Sequence, residues 1–239
     1  MKQVLISITS ITLMILLISA CAPQAQATSG PSVIEGQATH ISTDLTPAQR
    51  IAVSTLAQNL GITPDKIKLV STEVVDWPDS CLGVSTEGIV CSQVVTSGFR
   101  VILEANGKQV EYHTNQDASV IVPATVALTW KRSGGIAGFC DSMTIYLSGE
   151  VQATSCKKAD IVEKRLTDLV SPAEIATLNE WVTKYGVVNI DASDPAGVAD
   201  RMTVNLKLIG IGAEQLTSPE AQKLLLQFVQ DLNQKLMNQ

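Results

Sequence analysis

His113 is the residue best suited to acid–base chemistry, because the other histidine, His40, lies in a stretch of small and polar residues. An imidazole changes protonation near neutral pH and can act as a general base when a carboxylate orients it. Glu111 lies two residues earlier and therefore shares a face of the same predicted strand. The spacing admits a hydrolase that uses His113 with a nearby Asp or Ser, although no motif identifies the nucleophile. We favour the alternative, a histidine on the solvent-exposed face of a hairpin.

Trp77 ends another predicted strand and is followed by the turn-forming residues Pro78, Asp79 and Ser80. A rigid, partly exposed tryptophan beside a carboxylate is a good binding anchor, since it loses few rotamers when a partner engages it. Trp77, Asp79 and His113 are therefore the candidate binding residues. Two simpler interpretations stay open: Trp77 can be buried in a core, and Asp79 can cap the turn that follows the proline.

Four cysteines follow Cys21 in the chain, namely Cys81, Cys91, Cys140 and Cys156. An even number in an exported protein indicates disulfides, although four cysteines allow three connectivities. We favour the two nearest-neighbour pairs, because each pair falls within one of the two domains predicted below. A zinc site is the competing interpretation, but no two of these cysteines have the C-x2–4-C spacing of zinc ligands. No motif predicts a metal or another cofactor.

The first predicted domain covers residues 45–123 and contains all of these candidates except the second cysteine pair. Thr46 and Gln49 form the capping box of its single helix. Residues 67–77 are rich in Val and Ile and predict a strand. Alternating polar and apolar residues on both sides of Asn106-Gly107 predict a hairpin with a two-residue turn. The expected order is one helix followed by three or four antiparallel strands.

The second predicted domain covers residues 124–239. Ser148-Gly149 predicts a tight hairpin turn, and Ser171 and Ser218 each precede a proline at the start of a helix with an apolar stripe. Residues 202–208 alternate between apolar and polar side chains, which predicts a strand. Because strands and helices do not alternate as βαβ units, we expect an α+β fold of two small domains, each an antiparallel sheet packed with one or two helices.

Residues 1–20 combine Lys2, a long apolar stretch and small residues immediately before Cys21. This pattern resembles a bacterial lipoprotein signal peptide, which implies cleavage before Cys21 and attachment of fatty acids such as palmitate to that residue. A transmembrane helix is the alternative, but the apolar stretch is shorter than the ~20 residues that span a bilayer. Residues 21–44 lack apolar periodicity and predict a flexible spacer. We therefore expect folded domains on the extracytoplasmic side, with the membrane as a partner through the lipid on Cys21.

The overall composition is that of an acidic protein with a hydrophobic core. The formal net charge is −6, hydrophobic residues make up 45% of the chain, and the basic residues are scattered. Nucleic-acid binding needs clustered Lys and Arg to neutralise phosphates, so we expect no nucleic-acid partner.

Two groups of motifs resemble modules of uncharacterised bacterial secreted proteins and lipoproteins, of the kind found in Chloroflexi-like bacteria. The first group is WPDSCLG at 77–83, GFRVILE at 98–104 and EYHT at 111–114, and the second is GGIAGFCD at 134–141. The resemblance implies no activity, because neither module has an assigned function. The helix-then-hairpin order of the first half is also loosely similar to PepSY-type propeptide and inhibitor domains.

These observations favour a lipid-anchored protein of the cell envelope that is not an enzyme. We expect it to bind a protein, a peptide or another extracytoplasmic ligand. The alternatives are the hydrolase that uses His113 and a PepSY-like module that inhibits a protease.

Overall fold

A computed structural model of the chain describes residues 44–86, 89–156 and 162–239. The predicted signal peptide at 1–20, the anchor residue Cys21 and the predicted spacer up to residue 43 lie outside these described residues. The described part folds into three α-helices and two antiparallel sheets, so the predicted α+β class is confirmed. Within these residues, no helix is both long and apolar enough to span a bilayer.

The first sheet is formed by the first half of the chain and packs against one helix. The helix is α1 (Pro47–Leu60), and a short 3-10 turn (Pro64–Lys66) leads into the sheet. The four strands lie in chain order and are β1 (Lys68–Trp77), β2 (Thr96–Ala105), β3 (Lys108–Asn115) and β4 (Ile121–Pro123). As predicted, Asn106-Gly107 forms the two-residue turn between β2 and β3, and both of its residues have positive φ.

The signals that delimit α1 are local. Thr46 accepts a hydrogen bond from the backbone of Gln49, whose side chain returns one to the backbone of Thr46, and Pro47 occupies the first helical position. Gly61 ends the helix in the left-handed conformation. The apolar stripe of α1, which includes Leu56, packs on the face of the sheet that carries Val101, Leu103 and Tyr112.

The second sheet has six strands in the order β8-β7-β6-β5-β10-β9. These strands are β5 (Val126–Gly134), β6 (Phe139–Tyr146), β7 (Glu150–Cys156), β8 (Val162–Leu169), β9 (Val187–Asp191) and β10 (Met202–Ile209). The first four follow one another as antiparallel neighbours, whereas β10 returns to lie between β5 and β9. The sequence patterns did not predict β8 or β9.

Two helices belong to this second half, α2 (Pro172–Lys184) and α3 (Pro219–Met237). Ser171 and Ser218 cap them through their side chains, as predicted. Lys235 of α3 lies 3.0 Å from the Glu174 carboxylate of α2 and links the two helices.

Buried side chains from both sheets and all three helices form one hydrophobic cluster, which includes Leu56, Tyr112, Trp130, Leu178 and Leu232. The described residues all belong to a single compact unit. The division into two domains at residues 123 and 124 stays a prediction.

Both favoured cysteine pairs are close enough to be disulfides. The Cα atoms are 5.6 Å apart in Cys81–Cys91 and 5.3 Å apart in Cys140–Cys156, within the usual range for a disulfide. The predicted pairing is therefore confirmed. Cys81–Cys91 closes a loop between β1 and β2, and Cys140–Cys156 joins β6 to β7.

Candidate functional site

Trp77 and His113 stack on each other on one face of the first sheet. Their ring centroids are 3.9 Å apart, and the ring planes are inclined by 17°. Because side chains alternate along β3, His113 points away from the face on which Tyr112 meets α1. Trp77 is 4% exposed and His113 is 7% exposed, so both rings are buried. The fold therefore brings the candidate binding residues Trp77 and His113 together, but in a small second core rather than at the surface.

Gly98 makes room for the Trp77 side chain. The indole Nε1 donates a hydrogen bond to the Thr114 carbonyl at 3.0 Å. A Cβ atom at position 98 would lie 1.8 Å from that carbonyl oxygen and 2.8 Å from the indole nitrogen. Glycine is therefore the residue that lets the indole reach the backbone of β3.

Both ring nitrogens of His113 are engaged. Nδ1 lies 2.7 Å from the Leu82 carbonyl, and Nε2 lies 2.6 Å from Oε1 of Glu111. A carbonyl oxygen only accepts hydrogen bonds, so Nδ1 carries a proton. The contact with Glu111 requires a second proton, held either by Nε2 or by the carboxyl group. The imidazole is thus fixed from both sides.

Glu111 also belongs to a row of charged residues that crosses three strands. Arg100 lies between two carboxylates, with Nε 3.3 Å from Glu111 and a terminal guanidinium nitrogen 3.0 Å from Glu73. Strand register places Glu73, Arg100 and His113 directly opposite one another. These charged side chains are partly exposed, and each contact therefore contributes modestly. The row orients Glu111 toward His113.

The turn after β1 covers the two rings. Asp79 Oδ1 accepts hydrogen bonds from the backbone of Cys81 at 2.9 Å and of Gly83 at 3.2 Å. Leu82, which is 1% exposed, adopts a φ of 58° that turns its carbonyl into position for His113. Asp79 thus caps the turn, which was the simpler of its two interpretations.

One sequence-based expectation about this site is wrong: His113 is not on a solvent-exposed face, because the turn that contains Leu82 folds over it. For Trp77, the structure agrees with the interpretation of a buried core residue, because the same turn and the close approach at Gly98 bury its indole. The sequence signal for this burial was the pair of glycines Gly83 and Gly98, which both lie next to the Trp77 indole in space. Closely packed backbone often needs glycine.

The arrangement limits the chemistry open to His113. To accept a proton from a substrate, the imidazole would have to give up its contact with Leu82 or with Glu111. The hydrolase alternative therefore requires the turn to open and stays a prediction. Asp79, Cys81 and Cys91 bring potential metal-ligand atoms within 4.8 Å of one another. The disulfide, however, leaves no thiolate to bind a metal, so these residues do not fit a metal site in this state.

The segment around Cys91 exposes aliphatic side chains. We call residues 89–95 the valine segment. The exposed fractions are 45% for Ile89, 97% for Val90, 62% for Val94 and 70% for Val95. Such side chains are usually buried, and a cluster of them at the surface is typical of an interaction site. No sequence pattern marked this segment as a binding surface.

Backbone contacts hold the valine segment against the covering turn. The Ser80 amide donates to the Ser92 carbonyl at 3.0 Å, and the Ser92 amide donates to the Ser80 hydroxyl at 3.0 Å. Cys91 is bonded to Cys81 within the same stretch. The buried rings, the turn and the exposed valines therefore form one continuous structure.

Comparison with known proteins gives a match for part of the chain. Residues 49–123 match a family model described as "Domain of unknown function (DUF8738)". The match contains Trp77, Asp79, His113, the first disulfide and the valine segment. Searches of the curated proteins and of the solved structures found no match. The candidate site therefore lies entirely within a region that is similar to a domain family of unknown function.

Proposed function

We propose that this protein is a lipid-anchored, extracytoplasmic binding module without catalytic activity, whose partner is a protein or peptide of the cell envelope. The N-terminal sequence supports the anchor, because Cys21 follows a stretch that resembles a lipoprotein signal. The two disulfides support an oxidising location outside the cytoplasm.

The observation that carries the binding function is the valine segment. Val90, Val94 and Val95 are each more than half exposed within a short stretch. Burying such side chains against a partner contributes favourable free energy in proportion to the apolar area removed from water. The disulfide and the Ser80–Ser92 hydrogen bonds already order the segment, so little conformational entropy is lost on binding.

In this proposal the Trp77–His113 pair supports the surface instead of touching the partner. The pair packs under the turn that the disulfide joins to the valine segment. A substitution in the pair would therefore weaken binding by loosening the fold, whereas a substitution in the valine segment would weaken binding with the fold intact.

The proposal can be tested with the full chain, expressed in its native organism and cross-linked there to neighbouring envelope proteins. Val90→Asp combined with Val94→Asp should reduce partner capture at least tenfold, because two charges replace apolar contacts, while thermal unfolding stays unchanged. Val198→Asp is the matched control, since Val198 is 48% exposed in the segment between β9 and β10. Equal capture by the wild type and the double variant would contradict the proposal.

A further inference from the structure

A polar cluster lies where the first sheet meets the hairpin of β6 and β7. The Tyr112 hydroxyl of β3 donates to Glu150 Oε2 of β7 at 3.4 Å, and it accepts from Asn59 Nδ2 of α1 at 3.4 Å. The Ser148 hydroxyl, in the turn before β7, also donates to Glu150 Oε2. The cluster thus joins elements of the first half of the chain to elements of the second.

Glu150 is partly buried, and most of the side chains around it are buried and uncharged. Tyr112 and Ser148 are both 0% exposed, and Tyr146, which neighbours Glu150 from β6, is 1% exposed. The groups that face Glu150 are Asn59 from α1, Tyr112 from β3, Tyr146 from β6 and Ser148 from the turn, and all four are neutral. Among the described residues, Glu150 has no Lys, Arg or His partner. An ionised Glu150 is therefore balanced only by hydroxyl and amide groups.

Burial has a measurable consequence for this carboxyl group. Burial raises the pKa of Glu150 above its ordinary value, although hydrogen bonds from Ser148, Asn59 and Tyr112 act in the opposite direction. Burial also raises the pKa of Tyr112, and the nearby Glu150 raises it further. The folded protein therefore favours the protonated, neutral form of Glu150 more than the unfolded chain does.

We infer that Glu150 is a proton-dependent joint between the two sheets: Tyr112 and Ser148 hold its carboxyl group at the junction, and burying the charged form there without a neighbouring cation weakens the junction when Glu150 ionises. The inference uses only the contacts of the folded chain and does not depend on any binding partner. Its relevance in the cell rests on the proposed extracytoplasmic location, where the protein would be exposed to the pH of the surroundings.

The direction of the pH effect follows from linkage. A group whose pKa is raised by folding contributes stability that is fully present below its ordinary pKa, about 4.3 for glutamate. That contribution is lost as the pH rises through the higher pKa of the folded state. The joint is therefore strongest in acid and weaker at neutral pH.

The first test compares the full chain with its Glu150→Gln variant by urea unfolding between pH 4 and pH 8. Gln has the shape of the neutral carboxyl group and does not ionise. The ratio of the wild-type unfolding constant to that of the variant should rise with pH between the ordinary and the raised pKa of Glu150. Because one proton is involved, the rise is at most about tenfold per pH unit. A ratio of the two unfolding constants that does not change with pH would overturn the inference.

Glu174→Gln is the matched control, because its pH dependence has the opposite sign. Burial alone would raise the pKa of Glu174, but hydrogen bonds from Ser171 and Lys235 outweigh it and lower the pKa. A carboxyl group whose pKa is lowered by folding stabilises the protein at pH values above its ordinary pKa. This stability is lost as the pH falls through the lower pKa of the folded state. The wild type should therefore lose stability relative to Glu174→Gln in acid.

A second variant tests whether Glu150 acts across the two sheets or only within its own hairpin. Tyr112→Phe removes the hydroxyl that the first sheet contributes and keeps the aromatic ring. If Glu150 joins the sheets, the changes in the free energy of unfolding caused by Tyr112→Phe and by Glu150→Gln do not add up to the change in the double variant. The deviation from additivity then changes with pH. Additive effects would confine Glu150 to its own hairpin and would overturn the joint.

A direct measurement on the wild type covers the case in which a variant does not fold. The side-chain carboxyl carbon of Glu150 can be followed by 13C NMR as the pH is raised. We expect its midpoint above the ordinary glutamate value, and a midpoint at or below that value would overturn the inference. None of these measurements uses a partner, so failure of the joint and failure of the proposed binding function give separate results.

Discussion

The Trp77 indole lies almost parallel to the His113 imidazole, with 3.9 Å between ring centroids, in a small core beneath the disulfide-linked turn. An aromatic contact of this kind contributes about 0.5–1.5 kcal/mol beyond the apolar area that it buries. The rings come from β1 and β3, which are separated in the sheet by β2. Their contact therefore joins the turn after β1 to the centre of the first sheet.

Trp77→Ala should lower the free energy of unfolding by about 3–5 kcal/mol, because it leaves a cavity and removes the hydrogen bond to Thr114. Urea unfolding followed by circular dichroism would measure the loss. Val74→Ala is a suitable control, since Val74 lies on the same strand but is 75% exposed and should change stability little. A variant at Trp77 that unfolds at the wild-type midpoint would show that the indole is not part of a core.

His113→Ala should also destabilise the protein. The Leu82 carbonyl would lose its donor, and an unsatisfied buried acceptor costs about 1–3 kcal/mol. On a solvent-exposed face, as the sequence suggested for His113, the same substitution would change stability little. The same variant tests the hydrolase alternative, because loss of a turnover measured on an envelope substrate at a temperature where the variant is folded would support catalysis.

Each disulfide should contribute about 3 kcal/mol to stability in the chain-entropy description. The sequence separations are 10 for Cys81–Cys91 and 16 for Cys140–Cys156, so the two contributions should be similar. Double serine variants of each pair, compared by urea unfolding, would measure them. Peptide mapping under non-reducing conditions provides an independent check, and a Cys81–Cys140 peptide would contradict the pairing.

Cys21→Ala should leave an unprocessed precursor, because lipidation and cleavage both act at the cysteine of a lipoprotein signal. Metabolic labelling with a palmitate analogue should mark the wild type and not the variant. Cys81→Ser is a useful control, since it removes another cysteine but should keep the label. A variant at Cys21 that matures normally would eliminate the lipid anchor.

The parts of the fold that sequence reasoning predicted are those controlled by neighbouring residues. The caps at Thr46, Ser171 and Ser218 involve contacts across three residues, and the Asn106-Gly107 turn depends on the positive φ that these two residues tolerate. The disulfide pairs could also be predicted from the sequence, because each pair joins cysteines that are close in the chain.

The parts that could not be predicted depend on contacts between distant residues. His113 is buried because the turn at Leu82 folds over β3. No pattern in neighbouring residues predicts this contact between Leu82 and His113, which are far apart in the chain. Likewise, β9 is short, and it joins the edge of the second sheet only by pairing with β10, a strand that comes later in the chain. Charged residues alternate irregularly along β8, so its sequence lacked a clear strand period.

The close approach at Gly98 also limits which residue position 98 can hold in a related chain. A Cβ atom there would collide with the Thr114 carbonyl, which is backbone, as well as with the Trp77 indole, so replacing the tryptophan alone does not make room for a side chain. We therefore expect homologous sequences to keep this glycine even where the tryptophan has changed. A search profile that gives most weight to the glycine would recognise distant members of the matched domain family even where the cysteines have been replaced.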